Sequence, residues 1–220
     1  MITFENLGVT FGTTEILRGA TGTIPDGAVT FLMGPNGVGK TTLIRALLGV
    51  QRHSGVVKWN GNAMDPRARH VFPVFDDDPF YDRLTGQQNL RVLAPESTVR
   101  NDQRYLSNDV LQKRVKGFSA GQRKRLSLHA ALGSGASLVV LDEPTNGLDV
   151  DAQRLLRDDI VRMKSDTAFL LTGHHLDFYE GLVDHVLVIT DRTVRVSEPD
   201  HEKGHDLASS YERYYSHPAR

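Results

Sequence analysis

Short hydrophobic segments separated by glycine-rich turns run along most of the chain. Residues 2–24 are short β-prone segments broken by glycines and followed by a Pro-Asp-Gly turn at 25–27, which predicts an antiparallel sheet layer. Residues 29–33 are wholly apolar or β-prone, as in a buried strand, and residues 41–48 have helical spacing before Gly49. The N-terminal part therefore predicts an antiparallel layer followed by strand, loop and helix.

The amino-acid composition and the hydrophobic pattern change in the middle of the chain. Residues 85–132 are rich in Gln, Arg, Asn and Leu with helical spacing and contain few β-branched runs. This pattern predicts a small helical lobe inserted into an α/β core. We place the helical subdomain at 76–132, so that residues 1–75 and 133–220 form the core of a single domain.

Alternation of strands and helices surrounds the lobe. The predicted elements are strands at 55–59, 71–75, 138–141, 168–172 and 186–189 and helices at 150–163 and 176–180. Such alternation is typical of βαβ units with right-handed crossovers and parallel strands. The fold class predicted is α/β, with a mixed sheet core, an antiparallel β layer and an inserted helical subdomain. The aromatic residues at 211–215 predict a terminal helix.

Composition narrows the classes of partner. The chain has 220 residues, of which 39% are hydrophobic and 24% charged, and this is ordinary for one soluble domain. A formal net charge of -1 does not favour wrapping nucleic acid, and no apolar run is long enough to insert directly into a membrane. The absence of cysteine excludes disulfides and thiolate zinc sites. Any membrane contact is therefore expected through a protein partner.

Residues 34–41 read Gly-Pro-Asn-Gly-Val-Gly-Lys-Thr and fit the phosphate-binding loop G-x-x-x-x-G-K-[ST] between a strand and a helix. Small residues let backbone amides turn towards a polyphosphate, Lys40 reaches its β and γ phosphates, and Thr41 can ligate Mg²⁺. The alternative is a glycine-rich turn with an incidental lysine. The candidate phosphate-binding residues are Gly34, Asn36, Gly37, Val38, Gly39, Lys40, Thr41 and Thr42.

Two carboxylates end the apolar strand at 138–141. In a protein with a phosphate-binding loop, Asp142 can support the metal and Glu143 can act as the general base or orient the attacking water. His174 follows the strand at 168–172, whose end lies near the end of the first strand in a parallel sheet, so His174 is a candidate for contacting the γ-phosphate. The adjacent His175 is the alternative.

These elements, together with Phe-Ser-Ala-Gly-Gln at 118–122, resemble the ATP-binding-cassette family, whose signature loop usually reads Leu-Ser-Gly-Gly-Gln. Residues 146–149 are similar to the D-loop of that family, and residues 172–174 are similar to its switch histidine. The resemblance covers nearly the whole chain. It implies ATP hydrolysis with ATP and Mg²⁺ as ligands, and catalytic roles for Lys40, Glu143 and His174.

The resemblance also implies that two cassettes close head to tail around two ATP molecules. Ser119, Gly121 and Gln122 would then complete the γ-phosphate site of the opposite subunit. The alternative for this segment is a simple Ser-Gly helix cap. Phe11 falls where the family usually has an aromatic residue that stacks on adenine, and the alternative is a phenylalanine that packs in the core.

Two positions depart from the family pattern. The family normally has a glutamine after the strand that leads into the helical lobe, and here Asp76 is the expected replacement as a metal ligand. Ala120 replaces the first glycine of the signature, which adds one methyl group. The compact lobe is similar to small exporter-type subunits and favours export over import.

We therefore expect an ATPase subunit that powers a membrane-spanning transporter subunit from the cytoplasmic face of the cell membrane. It would pair with a second ABC ATPase subunit, as a homodimer or a heterodimer. The alternatives are a soluble ABC ATPase acting on nucleic acid or ribosomes, and a regulatory subunit that binds ATP and hydrolyses it weakly.

Overall fold

The computed structural model of the chain describes residues 1–63, 70–75, 79–95, 104–197 and 206–216. The strands are β1 (Ile2–Phe11), β2 (Thr14–Ile24), β3 (Val29–Met33), β4 (Ser54–Trp59), β5 (Asn62–Ala63), β6 (Val71–Val74), β7 (Leu138–Leu141), β8 (Ala168–Leu171), β9 (His185–Thr190) and β10 (Thr193–Ser197). The helices are α1 (Lys40–Leu47), α2 (Gly86–Leu93), α3 (Asn108–Leu111), α4 (Ala120–Leu132), α5 (Val150–Met163), α6 (Leu176–Tyr179) and α7 (Leu207–Tyr215), with a 3₁₀ turn at Val115–Gly117.

The strands form two sheets. The four-stranded sheet, in the order β2-β1-β4-β5, is antiparallel. The six-stranded sheet has the order β10-β9-β3-β8-β7-β6, and only the β9–β10 pair in it is antiparallel. The predicted fold class, α/β with a mixed sheet and an antiparallel layer, is confirmed. Among the described residues, no helix is both long and apolar enough to span a bilayer.

Side chains of the central strands point alternately into two hydrophobic clusters. In β7, Leu138 and Val140 belong to the cluster that α1 and the antiparallel sheet cover, whereas Val139 and Leu141 face the cluster that includes α5. All four are buried on both faces, which is why the segment reads as a continuous apolar run. The six-stranded sheet is therefore the middle layer of the domain.

The helices between β6 and β7 form the lobe and have a small core of their own, which includes Leu90, Val115 and Leu126. Helix α2 begins at a capping box in which the Thr85 side chain accepts a hydrogen bond from the Gln88 backbone and Gln88 Oε1 accepts one from the Thr85 backbone. Such a box satisfies two amides that have no partner within the helix. The predicted lobe at 76–132 contains these helices.

Strand β10 was not predicted from the sequence. It pairs with β9 across a two-residue turn at Asp191 and Arg192, whose φ values are 51° and 63°. Two positive φ values define a type I′ hairpin turn, for which Asn-Gly is the usual sequence signal. Because neither residue is glycine, the sequence lacks the usual signal for this hairpin. The terminal helix also begins earlier than its aromatic residues indicated, at Leu207.

The carboxyl ends of the parallel strands meet at one edge of the six-stranded sheet. Leu141 of β7 pairs with Val74 of β6 and with Leu171 of β8, and Leu171 pairs with Phe31 of β3. The residue that follows each strand therefore lies beside those that follow its neighbours. In open parallel sheets this edge is where ligands bind.

Candidate active site

A cleft of about 310 Å³ opens at this edge of the sheet. It is bordered by the loop after β3, the first turns of α1 and the acidic pair after β7. The residues lining it are Ile16, Asn36, Gly37, Gly39, Lys40, Thr41, Thr42, Arg45, Phe75, Asp142 and Glu143. Six of the eight residues predicted to form the phosphate-binding loop are among them.

The loop before α1 has a backbone that only glycine adopts easily. Gly37 and Gly39 have φ values of 77° and 114°, and a Cβ on Gly39 would lie 3.0 Å from a methyl carbon of Ile16. Gly39 is the N-cap of α1 and forms no side-chain capping bond. The first residues of the helix, Lys40 to Thr42, line the cleft, so the positive end of the helix dipole lies beside it, an arrangement suited to phosphate.

Lys40 extends back along the loop. Its Nζ donates hydrogen bonds to the Gly34 and Pro35 carbonyls, at 2.7 and 3.2 Å. Burial lowers the pKa of Lys40 below that of a lysine in water, whereas the negative charges of Glu143 and Asp142 raise it in part. A buried ammonium group that donates to neutral carbonyls can also bind an anionic ligand, because a charged acceptor forms a stronger hydrogen bond than a neutral one. Gly34 and Val38 pack closely within the loop: a Cβ on Gly34 would lie 2.6 Å from Val38 Cγ1, so a larger residue does not fit at position 34.

A hydrogen-bond network joins the loop to the two strands beside it. The Thr41 hydroxyl donates to Asp142 Oδ2 at 2.7 Å, and the Thr172 hydroxyl donates to Asp142 Oδ1 at 2.6 Å. The same Thr172 oxygen accepts a hydrogen bond from the backbone N–H of Glu143 at 3.0 Å. Thr172 therefore fixes the positions of both acidic residues. The sequence contained a signal for Thr172. It directly follows β8, just as Asp142 follows β7, and residues that follow neighbouring parallel strands lie side by side.

Glu143 has a φ of 51°, which a residue with a side chain rarely adopts. Its Oε1 lies 2.9 Å from Nε2 of His174, and its side chain is 14% exposed whereas that of His174 is 42% exposed. His175 is exposed and is the N-cap residue of α6. Of the two histidines, His174 is thus the one in contact with the candidate base.

Tyr179 holds the backbone at the carboxyl end of β8. It is fully buried, and its hydroxyl donates a hydrogen bond to the Thr172 carbonyl at 2.8 Å. A Cβ on Gly173 would lie 2.2 Å from the same hydroxyl, so only glycine fits between Thr172 and His174. Burial raises the pKa of Tyr179, which keeps the phenol protonated as a donor. The sequence alone does not indicate this contact.

The predicted signature residues lie outside this cleft. Ser119 caps α4 in a second capping box: its hydroxyl accepts a hydrogen bond from the Gln122 backbone at 3.2 Å, and Gln122 Oε1 accepts one from the Ser119 backbone at 3.0 Å. A Cβ on Gly121 would lie 3.1 Å from the Gly147 carbonyl. The start of α4 is thus packed against the loop that follows β7.

Phe11 is 51% exposed and does not line the cleft. This exposure excludes the alternative of a phenylalanine packed in the core, and stacking on adenine stays a prediction. Sequence reasoning missed Ile16, Arg45 and Phe75 as lining residues. Arg45 lies over the Phe75 ring at 5.5 Å, which links α1 to the segment after β6. Their place depends on packing between elements distant in sequence.

The oxygen atoms in the cleft suit Mg²⁺. The Thr41 hydroxyl and the Asp142 carboxylate are hard ligands 2.7 Å apart beside the phosphate-binding loop. In the described parts of the chain no group of three acidic or histidine side chains could hold a metal ion without further ligands. Mg²⁺ commonly takes one or two protein ligands and completes its shell with phosphate oxygens and water. Asp76, the third predicted ligand, lies outside the described residues.

Comparisons with known proteins agree on a family. The family model described as ABC transporter matches residues 17–146. The lantibiotic transport ATP-binding protein SrtF of Streptococcus pyogenes is 31% identical, and the alignment covers 98% of this chain and 96% of that protein. The Nod factor export ATP-binding protein I of Burkholderia lata is 32% identical, with 86% of this chain and 68% of that protein covered.

Solved structures share the fold. An ATP-binding subunit of an ABC transporter superposes with a TM-score of 0.86 at 22% identity, over 97% of this chain and 99% of that one. A dimeric ATP-binding cassette in a post-hydrolysis state bound to ADP and Pi superposes with a TM-score of 0.79 at 17% identity, over 90% and 98% of the two chains.

Proposed function

Because the chain belongs to the ABC transporter family and is an ATPase of the ATP-binding-cassette type, we propose that it hydrolyses ATP as half of a nucleotide-sandwiching dimer and thereby powers export by a membrane-spanning partner. The observation that carries the proposal is the single cleft in which Lys40, Thr41, Asp142 and Glu143 converge.

Hydrolysis requires a water molecule in line with the γ-phosphorus. The loop amides and Lys40 hold the β and γ phosphates, and Thr41 and Asp142 would hold Mg²⁺, which neutralises the charge that develops on the phosphate oxygens. Glu143 accepts a proton from the attacking water as the new P–O bond forms and the bond to the bridging oxygen of ADP breaks. The products are ADP and inorganic phosphate.

His174 completes this arrangement. Its contact with Glu143 Oε1 at 2.9 Å needs a proton on Nε2, so the imidazole presents an N–H beside Glu143. With ATP bound, the same N–H can donate to a γ-phosphate oxygen beside the attacking water. We assign His174 to stabilising the transferred phosphoryl group and Glu143 to activating the water.

The position of the signature residues supports a dimer. Ser119, Gly121 and Gln122 are absent from the lining of the cleft in their own chain, yet they form a helix N-terminus suited to phosphate. The site of one subunit can use them only when a second subunit supplies them. We therefore propose that each ATP is held between the loop of one subunit and Ser119 of the other.

Mixing two inactive variants tests the shared site. Lys40→Met disables the phosphate-binding loop and Ser119→Arg blocks the signature, so each homodimer should be inactive. An equal mixture should regain about a quarter of the wild-type ATPase rate, because half of the dimers are mixed and each keeps one intact site of two. Ser107→Arg, at the N-cap of α3, is the matched control and should leave the rate unchanged. A site made within one chain would show no recovery.

We propose a membrane-spanning subunit as the partner and the cytoplasmic face of the membrane as the place of action. The proposal of export draws on the names of the two relatives, one of lantibiotic transport and one of Nod factor export. In the described residues no helix is long and apolar enough to cross a bilayer.

Co-purification tests the partner. The tagged chain should retain a multi-helix membrane protein in stoichiometric amount when it is isolated from detergent-solubilised membranes of its native host, and mass spectrometry identifies that protein. A second ABC ATPase in the same complex would establish a heterodimer, and its absence would establish a homodimer. Recovery only from the soluble fraction, with ribosomes or nucleic acid, would refute the transporter assignment in favour of the soluble alternative.

A further inference from the structure

The C-terminal helix α7 is fixed to the core at its start. Leu207 is fully buried, and its backbone N–H donates a hydrogen bond to Glu180 Oε1 at 2.9 Å. Asp206 caps the helix by accepting a hydrogen bond from the Ser209 backbone at 2.9 Å. These contacts hold the first turn of α7 against the residue that follows α6.

The last residue of α7 reaches the sheet edge that carries the phosphate-binding loop. The Tyr215 hydroxyl lies 2.7 Å from the Ile189 carbonyl and 3.2 Å from the Met33 carbonyl. Met33 ends β3, and Ile189 is near the end of the neighbouring parallel strand β9. A phenol has one proton, so the hydroxyl is a shared donor that bridges the two strands where β3 gives way to the loop.

The bridge acts directly on the first peptide of the loop. The Met33 carbonyl and the Gly34 N–H belong to one planar peptide group, so a bond to one orients the other. The next carbonyl, that of Gly34, accepts the hydrogen bond from Lys40 Nζ at 2.7 Å. A Cβ on Gly34 would lie 3.4 Å from the Tyr215 hydroxyl, which shows how closely the phenol is applied to the loop.

The surroundings of Tyr215 keep its hydroxyl in place. The Tyr211 ring lies 4.8 Å from the Tyr215 ring, centroid to centroid, and limits its rotation. Burial raises the pKa of Tyr215, and the neighbouring Tyr211 and Tyr214 raise it further. The phenol therefore stays protonated, as a donor must, throughout the neutral pH range.

We propose that Tyr215 is a positioning residue for ATP binding, whose hydroxyl holds the Met33–Gly34 peptide in the orientation that the phosphate-binding loop needs. Helix α7 thus becomes part of the nucleotide site, although it lies far outside the residues 17–146 that match the family model. The inference rests on the proposed binding of ATP in the cleft next to Lys40.

The comparison of Tyr215→Phe with Tyr214→Phe tests this role. Each variant loses one hydroxyl from the end of the same helix, and both tyrosines pack against the same core. For Tyr215→Phe we expect the Kd for a fluorescent ATP analogue and the KM for MgATP to rise about three- to tenfold, as fits the loss of one hydrogen bond. The kcat should change by less than about twofold, because the groups that act on the γ-phosphate are untouched. Tyr214→Phe should match the wild type.

Melting temperature separates positioning from general stability. A rise in KM with an unchanged melting temperature supports the proposal. Unchanged ATP affinity in Tyr215→Phe overturns it, as does an equal rise in both variants, or a loss of affinity that only follows a loss of melting temperature. If the wild-type chain itself fails to bind the analogue, or binds it as well after Lys40→Met, the proposed ATP site fails first.

Discussion

Glu143→Gln should reduce the kcat for ATP hydrolysis by about 10² to 10⁴-fold, the range that a positioned general base contributes. Glutamine has the shape of glutamate, and its Oε1 can still accept the N–H of His174, which lies 2.9 Å from Glu143 Oε1 in the native chain. It cannot take a proton from water at neutral pH. The variant should therefore fold and bind ATP normally while turnover almost stops.

The same variant should collect in the closed state. ATP that is not hydrolysed continues to bridge two subunits, so size-exclusion chromatography in the presence of ATP should show a dimer that the wild type forms only transiently. Glu5→Gln, the same chemical change on the exposed part of β1, is the control and should behave as the wild type. If Glu143→Gln and the wild type hydrolyse ATP at equal, low rates, Glu143 is not the base and a regulatory subunit is the better description.

Lys40→Met should weaken ATP binding by roughly 2 to 5 kcal/mol, as expected when one partner of a buried charge pair is removed, and ATPase activity should fall below detection. Methionine fills the space of the lysine stem but has no ammonium group for the β and γ phosphates. Titration with a fluorescent ATP analogue measures the change.

Although Lys40→Met should weaken ATP binding, it should leave the stability of the fold unchanged or raise it. Lys40 is 7% exposed, and burial lowers its pKa, so the folded chain bears a cost for holding this charge. Relief of that cost offsets the two lost bonds to the Gly34 and Pro35 carbonyls. The melting temperature without nucleotide should therefore equal or exceed that of the wild type. Lys113→Met, at an exposed position in the lobe, is the control for loss of charge. Normal affinity, or a large fall in melting temperature, would contradict the role assigned to Lys40.

Local patterns were sufficient for the elements that carry the chemistry. The observed bounds of β3, β7 and α5 are those predicted from the sequence, because apolar runs and helical spacing are signals contained within their own segments. The lysine and threonine of the loop and the acidic pair after β7 were predicted in the same way. Strand β10 was missed because the turn before it lacks the residues that usually mark such a turn.

By itself, the sequence was sufficient to predict the fold class, and it also supplied the candidate residues of the phosphate-binding loop and of the acidic pair after β7. Only the tertiary structure decided which residues meet: Thr172 between Asp142 and Glu143, His174 rather than His175 against Glu143, and Tyr215 beneath Met33. The physical reason is range. Periodicity, turns and caps act over a few residues, whereas these contacts depend on the strand order and on the direction of helices that are distant in sequence.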